Sequence, residues 1–290
     1  MLEVKDINFK YNNKLIFSDV SFNIEMSHIY GLIGNNGAGK TTLLRCLNSF
    51  YLPNDGTIKY QGVDIEKSRD YISRAFLLDE DYYVAQYNTR KLLDYLKFLY
   101  DRKPNYQIYD ELKEKLNIDE DIQIKRMSLG DRKAAILCAI MPLMPKFIYL
   151  DEFLDGIDLV KRKHIKEFMI SYVFENDAAI VIASHTVDDI KDLCDKLILF
   201  NDDTITIKED VDEFKDQYTT YQIVSDYKLD SEFFATYDIV VNEIKNLNNI
   251  YWVSLKNDDK LELLLEENNF VDVRKISSTM EEVIYYEFVS

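Results

Sequence analysis

Apolar and polar residues take turns along "LEVKDINFKY" and "VSFNIE", the pattern of strands with one face in a core and the other in water. Residues 2–30 are therefore expected to build an antiparallel β layer. Farther along, "HIYGLI", "FIYLD" and "AAIVIAS" are short continuous apolar runs, which predict buried strands of a sheet covered on both faces. Between these runs the period changes to that of helices in "TTLLRCLNSF", "TVDDIKDLCDKL" and "SLGDRKAAILCAIMPLM", the last stopped by Pro142 and Pro145. The stretch "TIKYQ" sits between the turn signals "PNDG" and "QG" and reads as a short strand. Apolar residues at helical spacing in "TRKLLDYLKFLYDRK" and "YDELKEKLNI" place a helical insert at about 89–140.

Buried strands that alternate with helices predict an α/β fold with a mainly parallel sheet and ligands at the strands' carboxyl ends. The fold class is thus α/β, with an antiparallel β subdomain and the helical insert. After about residue 210 polarity rises, and "YTTYQIVSD", "IYWVSLK" and "KLELLLEENNF" predict strands and a helix of a small α+β appendage. The expected domains are 1–210 and 211–290.

Composition narrows this little. With 290 residues, 47% hydrophobic and 30% charged, the chain can bury a core in each of two units. A formal charge of −17 repels phosphodiester backbones, so no nucleic acid partner is expected. No apolar run approaches the roughly 20 residues that span a bilayer, and "MLEVKDINFK" lacks a signal peptide's basic start and apolar middle. The expected location is the cytoplasm. Cys46, Cys138 and Cys194 lie far apart with no paired or metal-type spacing, as small buried hydrophobes would.

Chemistry enters at "GLIGNNGAGKTT", residues 31–42. Gly34, Gly39, Lys40 and Thr41 fit G-x-x-x-x-G-K-[ST] between a predicted strand and a predicted helix. Such a loop aims the backbone N–H groups of Asn35, Asn36, Gly37, Ala38 and Gly39 inward, and the helix start at Thr41 and Thr42 adds positive potential. Lys40 supplies a point charge and Thr41 a hydroxyl for Mg²⁺. The loop is read as a cradle for a nucleoside triphosphate. The strand in "FIYLDE" ends in two carboxylates: Asp151 is placed to hold Mg²⁺ through water, and Glu152 to polarise an attacking water.

This arrangement resembles the nucleotide-binding subunit of ABC transporters over roughly residues 1–210. "MSLGDRK" is similar to the family's LSGGQ signature, with Ser128 and Gly130 matching its serine and second glycine, Leu129 replacing the first glycine and Asp131 the glutamine. The S-L-G form resembles bacterial drug and peptide exporters, phenol-soluble modulin exporters among them, and the tail "STMEEVIYYEFVS" resembles that branch too. "DGID", with Asp155, Gly156 and Asp158, resembles the D-loop, and His185 in "IASHT" the switch histidine that contacts the terminal phosphate. Tyr11 corresponds to the aromatic residue that stacks on adenine. Where the family has a Mg²⁺-ligating glutamine, counting back from Thr89 gives Glu80, with Gln86 the alternative for a longer loop.

The resemblance implies ATP and Mg²⁺ as substrate and metal, and hydrolysis with Glu152 and His185 in catalytic roles. It also implies a second ATPase subunit, identical or not, whose signature covers the nucleotide, and a membrane-spanning permease subunit. The chain would then be peripheral on the cytoplasmic face of the membrane, powering export of drugs, lantibiotics or amphipathic peptides. A groove lined by Tyr82, Tyr83, Tyr87, Leu92, Leu93 and Leu96 would receive the permease. Two alternatives stay open: a soluble ABC ATPase that assembles or remodels a protein complex, and a nucleotide-dependent module with little turnover.

Overall fold

The structure is a computed structural model and describes residues 1–72, 75–78, 86–201, 204–208, 210–267 and 270–289. The chain forms two compact units, Met1–Glu209 and Asp210–Ser290.

In the first unit, β1 (Leu2–Tyr11) and β2 (Lys14–Ile24) form an antiparallel hairpin. Alternation, reset by register shifts where Asp6 and Asp19 take positive φ, puts Leu2, Val4, Ile7, Phe17 and Ile24 into the core. On the other edge of β1 lie β4 (Asp55–Tyr60) and then β5 (Val63–Asp64). A second sheet has β3 (His28–Gly34) at its centre, between β8 (Ala179–Ser184) and β9 (Lys196–Asn201), both parallel to it. Beyond β8 follow β7 (Phe147–Asp151) and β6 (Ala75–Leu78), also parallel, while β10 (Thr204–Lys208) runs antiparallel outside β9. Every residue of β7 and β8 is buried, as continuous apolar runs require. Because β3, β8 and β7 are neighbours and parallel, Gly34, Ser184 and Asp151 reach the same edge of the sheet.

Two short helices, α1 (Lys40–Leu47) and α2 (Arg69–Ile72), precede the helical insert of α3 (Thr89–Leu99), α4 (Tyr106–Lys115) and α5 (Leu129–Ile140). Asn88 and Asn105 cap α3 and α4 by accepting from Lys91 N at 2.9 Å and Gln107 N at 3.1 Å. Both helices pack on α5. That packing corrects one expectation: Leu92, Leu93 and Leu96 are fully inside and line no groove, and the exposed side of α3 carries Tyr95, Phe98 and Leu99 instead. Tyr82 and Tyr83 lie outside the described residues.

After β7 come α6 (Leu159–Asn176), β8 and α7 (Val187–Ile190). The helix expected through "TVDDIKDLCDKL" stops after one turn. Asp195 pins this segment to β3, donating its N–H to Ile29 O at 3.1 Å and accepting from Ile29 N at 2.8 Å, so "KLILF" continues as strand β9. Cys46, Cys138 and Cys194 are all buried and free. Burial pushes the thiols of Cys46 and Cys138 up to about 12 and that of Cys194 higher, which leaves them inert near neutral pH.

The second unit contains α8 (Val211–Asp216), β11 (Tyr218–Val224), α9 (Ser231–Ala235), β12 (Glu243–Leu247), β13 (Ile250–Lys256), α10 (Asp259–Glu267), β14 (Asp272–Ser277) and α11 (Met280–Val289). Its sheet order is β12-β13-β11-β14, all antiparallel. From β11 to β14 this is the split β-α-β-β-α-β arrangement, with its own core around Ile223, Phe234, Val253 and Leu261.

Candidate functional site

The loop after β3 exposes Asn35, Asn36 and Gly37 and half-buries Ala38 and Gly39. Gly39 has φ +115°, and a Cβ there would lie 2.6 Å from Ile16 Cγ2, so no side chain fits. No side chain caps α1, whose first N–H groups have no partner within the helix. Lys40 is only 6% exposed and donates to Gly34 O at 2.7 Å and Asn35 O at 3.2 Å. Burial lowers its pKa, with Glu152 and Asp151 opposing. Thr42 follows, half-buried, in the first turn of α1. Tyr11 ends β1 opposite Lys14, with 60% of its surface exposed.

Thr41 and Asp151 meet although 110 residues apart: Thr41 Oγ1 donates to Asp151 Oδ2 at 2.5 Å. A hydroxyl and a carboxylate in contact are an all-oxygen donor set of the kind Mg²⁺ takes together with phosphate and water. Immediately after β7, Glu152 turns into the left-handed region with φ 48°, a conformation that costs a non-glycine residue about 1–3 kcal/mol. Three bonds to its backbone hold it there: Glu152 N donates to Ala183 O at 3.0 Å, and Lys133 Nζ at 2.7 Å and Asp155 N at 3.3 Å donate to Glu152 O. Its side chain meets His185, whose Nδ1 lies 2.8 Å from Glu152 Oε2 and 3.9 Å from Asp155 Oδ2. The contact with the carboxylate orients the imidazole ring.

The signature-like segment packs on the D-loop-like one. Ser128 caps α5, accepting from Asp131 N at 3.2 Å and donating to Asp131 Oδ2 at 2.7 Å. A Cβ on Gly130 would lie 2.4 Å from Gly156 O, so glycine is required for this approach. Leu129 lies over Gly156 and stays half exposed, and Asp158 caps α6 by accepting from Lys161 N at 3.0 Å.

Three cations absent from the sequence reading tie the parts together. Lys133 is buried and donates to Glu152 O at 2.7 Å and Asp155 O at 2.9 Å, Lys161 pairs with Asp131, and Arg162 joins Leu154 O at 3.1 Å to the buried Asp189 at 2.9 Å. One signal was available: a lysine directly before the apolar run "AAILCAI", on the same helix, must find acceptors as it is buried with that run. Gln86 is exposed, and Glu80 lies outside the described residues.

Lys133→Met keeps the stem and removes the ammonium that holds both carbonyls. It is expected to lower stability by about 1.5–3 kcal/mol. By loosening the backbone of Glu152 it is expected to cut kcat about tenfold or more, with KM for ATP within about twofold. Thermal unfolding and steady-state ATPase assays check this. An unchanged kcat in a folded variant would mean that Lys133 serves only packing.

The ABC transporter family model matches residues 17–155. The ABC transporter ATP-binding protein YtrB of Bacillus subtilis (strain 168) is 31% identical over 78% of this chain and 77% of its own length. The bacitracin transport ATP-binding protein BcrA of Bacillus licheniformis is 25% identical over 99% of this chain and 95% of its own length, and the methionine import ATP-binding protein MetN of Chlamydia pneumoniae is 23% identical over 69% of this chain and 63% of its own. Among solved structures, the ATP-binding subunit of an ABC transporter superposes with a TM-score of 0.67 at 20% identity, covering 75% of this chain and 92% of that one, which shows the same fold. No helix among the described residues is long and apolar enough to cross a membrane. The chain belongs to the ATP-binding subunits of ABC transporters, ATPases that power transport together with membrane permease subunits.

Proposed function

We propose that the chain drives an exporter of peptide-like or drug-like amphiphiles, with two ATPase subunits closing on ATP. The observation that supports a peptide-like cargo is the extent of the match to BcrA, a bacitracin transport ATP-binding protein, which runs through the second unit as well as the first, whereas the match to MetN covers about two thirds of the chain. The first unit is then the ATP-binding domain with its helical insert, and the second an accessory domain. Residues 35–42 and Tyr11 bind ATP. Thr41, Asp151 and Glu80 would hold Mg²⁺, which would neutralise phosphate charge when bound. Glu152 takes a proton from the attacking water, its carboxylate oriented by His185, which senses the terminal phosphate. Ser128, Leu129, Gly130 and Asp131 face the nucleotide of the second subunit across the Asp155–Asp158 loop. Closure must offset repulsion between acidic subunits, so salt should favour it by screening.

The permease would dock on the exposed side of α3. Tyr95 stacks on Tyr87 with ring centroids 5.5 Å apart, Phe98 is 86% exposed, and an open cleft of about 820 Å³ is lined by Asp94, Lys97, Phe98, Asp101, Arg102 and Lys103. Exposed aromatics supply large contact area at low entropic cost. The test is to purify the tagged chain from detergent-solubilised membranes and identify what comes with it. A polytopic membrane protein with about six apolar helices, each of about 20 residues, is expected, and Phe98→Asp should lose it while binding ATP like wild type. Only soluble partners would favour a protein-remodelling ATPase. A permease retained by Phe98→Asp would move the docking site elsewhere.

A further inference from the structure

The residue that departs most from the family's signature is Asp131, which brings a carboxylate where anionic phosphate is to be bound. Both of its oxygens are occupied: Oδ2 accepts from Ser128 Oγ at 2.7 Å, and Oδ1 is paired with the ammonium of Lys161. The lysine side chain is 17% exposed and the carboxylate 42%, so the pair sits at the surface with its cation the more enclosed member.

Lys161 is also fixed in place. Its own N–H is held by Asp158 at 3.0 Å, and the next residue, Arg162, is anchored on Leu154 O and on Asp189. The contact of Gly130 with Gly156 brings the start of α5 to the D-loop-like segment that leads into α6. With its backbone anchored in this way, Lys161 lies in the first turn of α6 beside the signature, and the pair with Asp131 holds its ammonium there.

We propose that Lys161 is a positioning residue for the signature: by holding the Asp131 carboxylate it cancels a negative charge that would otherwise face the phosphates of ATP carried by a second subunit. The role rests on the two-subunit reading above. A hydroxyl has one proton, and Ser128 gives it to Asp131. When Ser128 turns that proton to a phosphate oxygen, Lys161 remains as donor to Asp131, so the carboxylate is not left bare. Lys161 first and Ser128 second hold the Asp131 carboxyl below the usual carboxylate range, so it is charged near neutral pH and needs its cation.

The experiment uses the full chain with Glu152→Gln, in which ATP-driven dimers are expected to accumulate, and follows dimerisation against ATP concentration by light scattering. Adding Lys161→Met is expected to raise the ATP concentration for half-dimerisation about tenfold or more, because like charges facing each other across an interface are strongly disfavoured. In chains that keep Glu152, the same substitution should raise KM more than it lowers kcat. The melting temperature should move by at most a few degrees, since a half-exposed ion pair contributes little to the fold.

Lys161→Arg should stay near wild type, and Asp131→Gln combined with Lys161→Met should recover to within about threefold of the parent, because removing both charges removes the conflict. A double variant as impaired as Lys161→Met, or Lys161→Met dimerising at the parent's ATP concentration, would overturn the role. If Glu152→Gln alone forms no ATP-dependent dimer, the two-subunit reading falls, and the role of Lys161 with it. If it dimerises and Lys161→Met makes no difference, only the role of Lys161 falls.

Discussion

Glu152→Gln is expected to lower ATP turnover by about 10²- to 10⁴-fold, the usual contribution of a positioned general base, while leaving ATP bound. Glutamine keeps the shape and accepts hydrogen bonds through its amide oxygen, but it cannot take a proton from water. The surroundings should survive the change, because Glu152 is held by its backbone, through Ala183 O and Lys133, rather than by its carboxylate. The cost falls on the side chain's bond to His185 Nδ1, which an amide oxygen can still accept. Binding and turnover are thus separated, and the variant should accumulate as a nucleotide-bound dimer at ATP concentrations that leave wild type cycling. Single-turnover hydrolysis of radiolabelled ATP, with sizing in parallel, checks both halves. Wild-type hydrolysis in the variant would move the base to another residue, and the first to examine is Asp155, whose Oδ2 lies 3.9 Å from the same histidine nitrogen.

The sequence was legible where local pattern and chemistry coincide. The strands β3, β7 and β8 are continuous apolar runs, and the residues that follow them, Asn35–Lys40, Glu152 and His185, stand at strand ends because a parallel sheet brings its carboxyl ends together. Strand β9 was not legible. Its segment carries apolar residues at Ile190, Leu193 and Leu197, a helical spacing, and the strand wins through long-range pairing: Asp195 is hydrogen-bonded to Ile29, 166 residues away, and Lys196–Phe200 pair with Tyr30–Gly34 of β3.

The same limit applies to the site. Asp131 and Lys161 are 30 residues apart and Lys133 and Glu152 are 19 apart, and nothing in a one-dimensional pattern pairs them. The departure at Asp131 raised a question of charge that only the fold answers. The groove residues failed for a related reason. Helical spacing identifies Leu92, Leu93 and Leu96 as one face of α3, but that face is taken by α5, and the face left for a partner holds residues a core pattern passes over. In the second unit, β12 and β14 are short and largely exposed, without the alternation that marked β1, so they went unread beside β11 and β13.

Lys40→Ala is expected to weaken ATP binding itself, by about 100-fold, which at about 1.4 kcal/mol per tenfold is within the range of one or two charge-assisted hydrogen bonds. The ammonium is 6% exposed and sits on the carbonyls of Gly34 and Asn35 at the mouth of the loop, facing the charges of Asp151 and Glu152. Truncation removes the cation that would meet phosphate and leaves those two carboxylates to repel it, so the loss exceeds that of a single neutral contact. Lys40→Arg should not rescue it, because a planar guanidinium cannot replace a compact ammonium in an enclosed space shaped by Gly39 and the loop carbonyls. Titration with a fluorescent ATP analogue measures the change, with circular dichroism to establish that α1 and the sheet persist. The double variant with Glu152→Gln makes the test sharper: the base substitution preserves bound ATP only if ATP binds, so the pair should show no nucleotide-dependent dimer. Dimers formed by the double variant at the ATP concentrations that suffice for Glu152→Gln alone would mean that the loop does not hold the phosphates through Lys40.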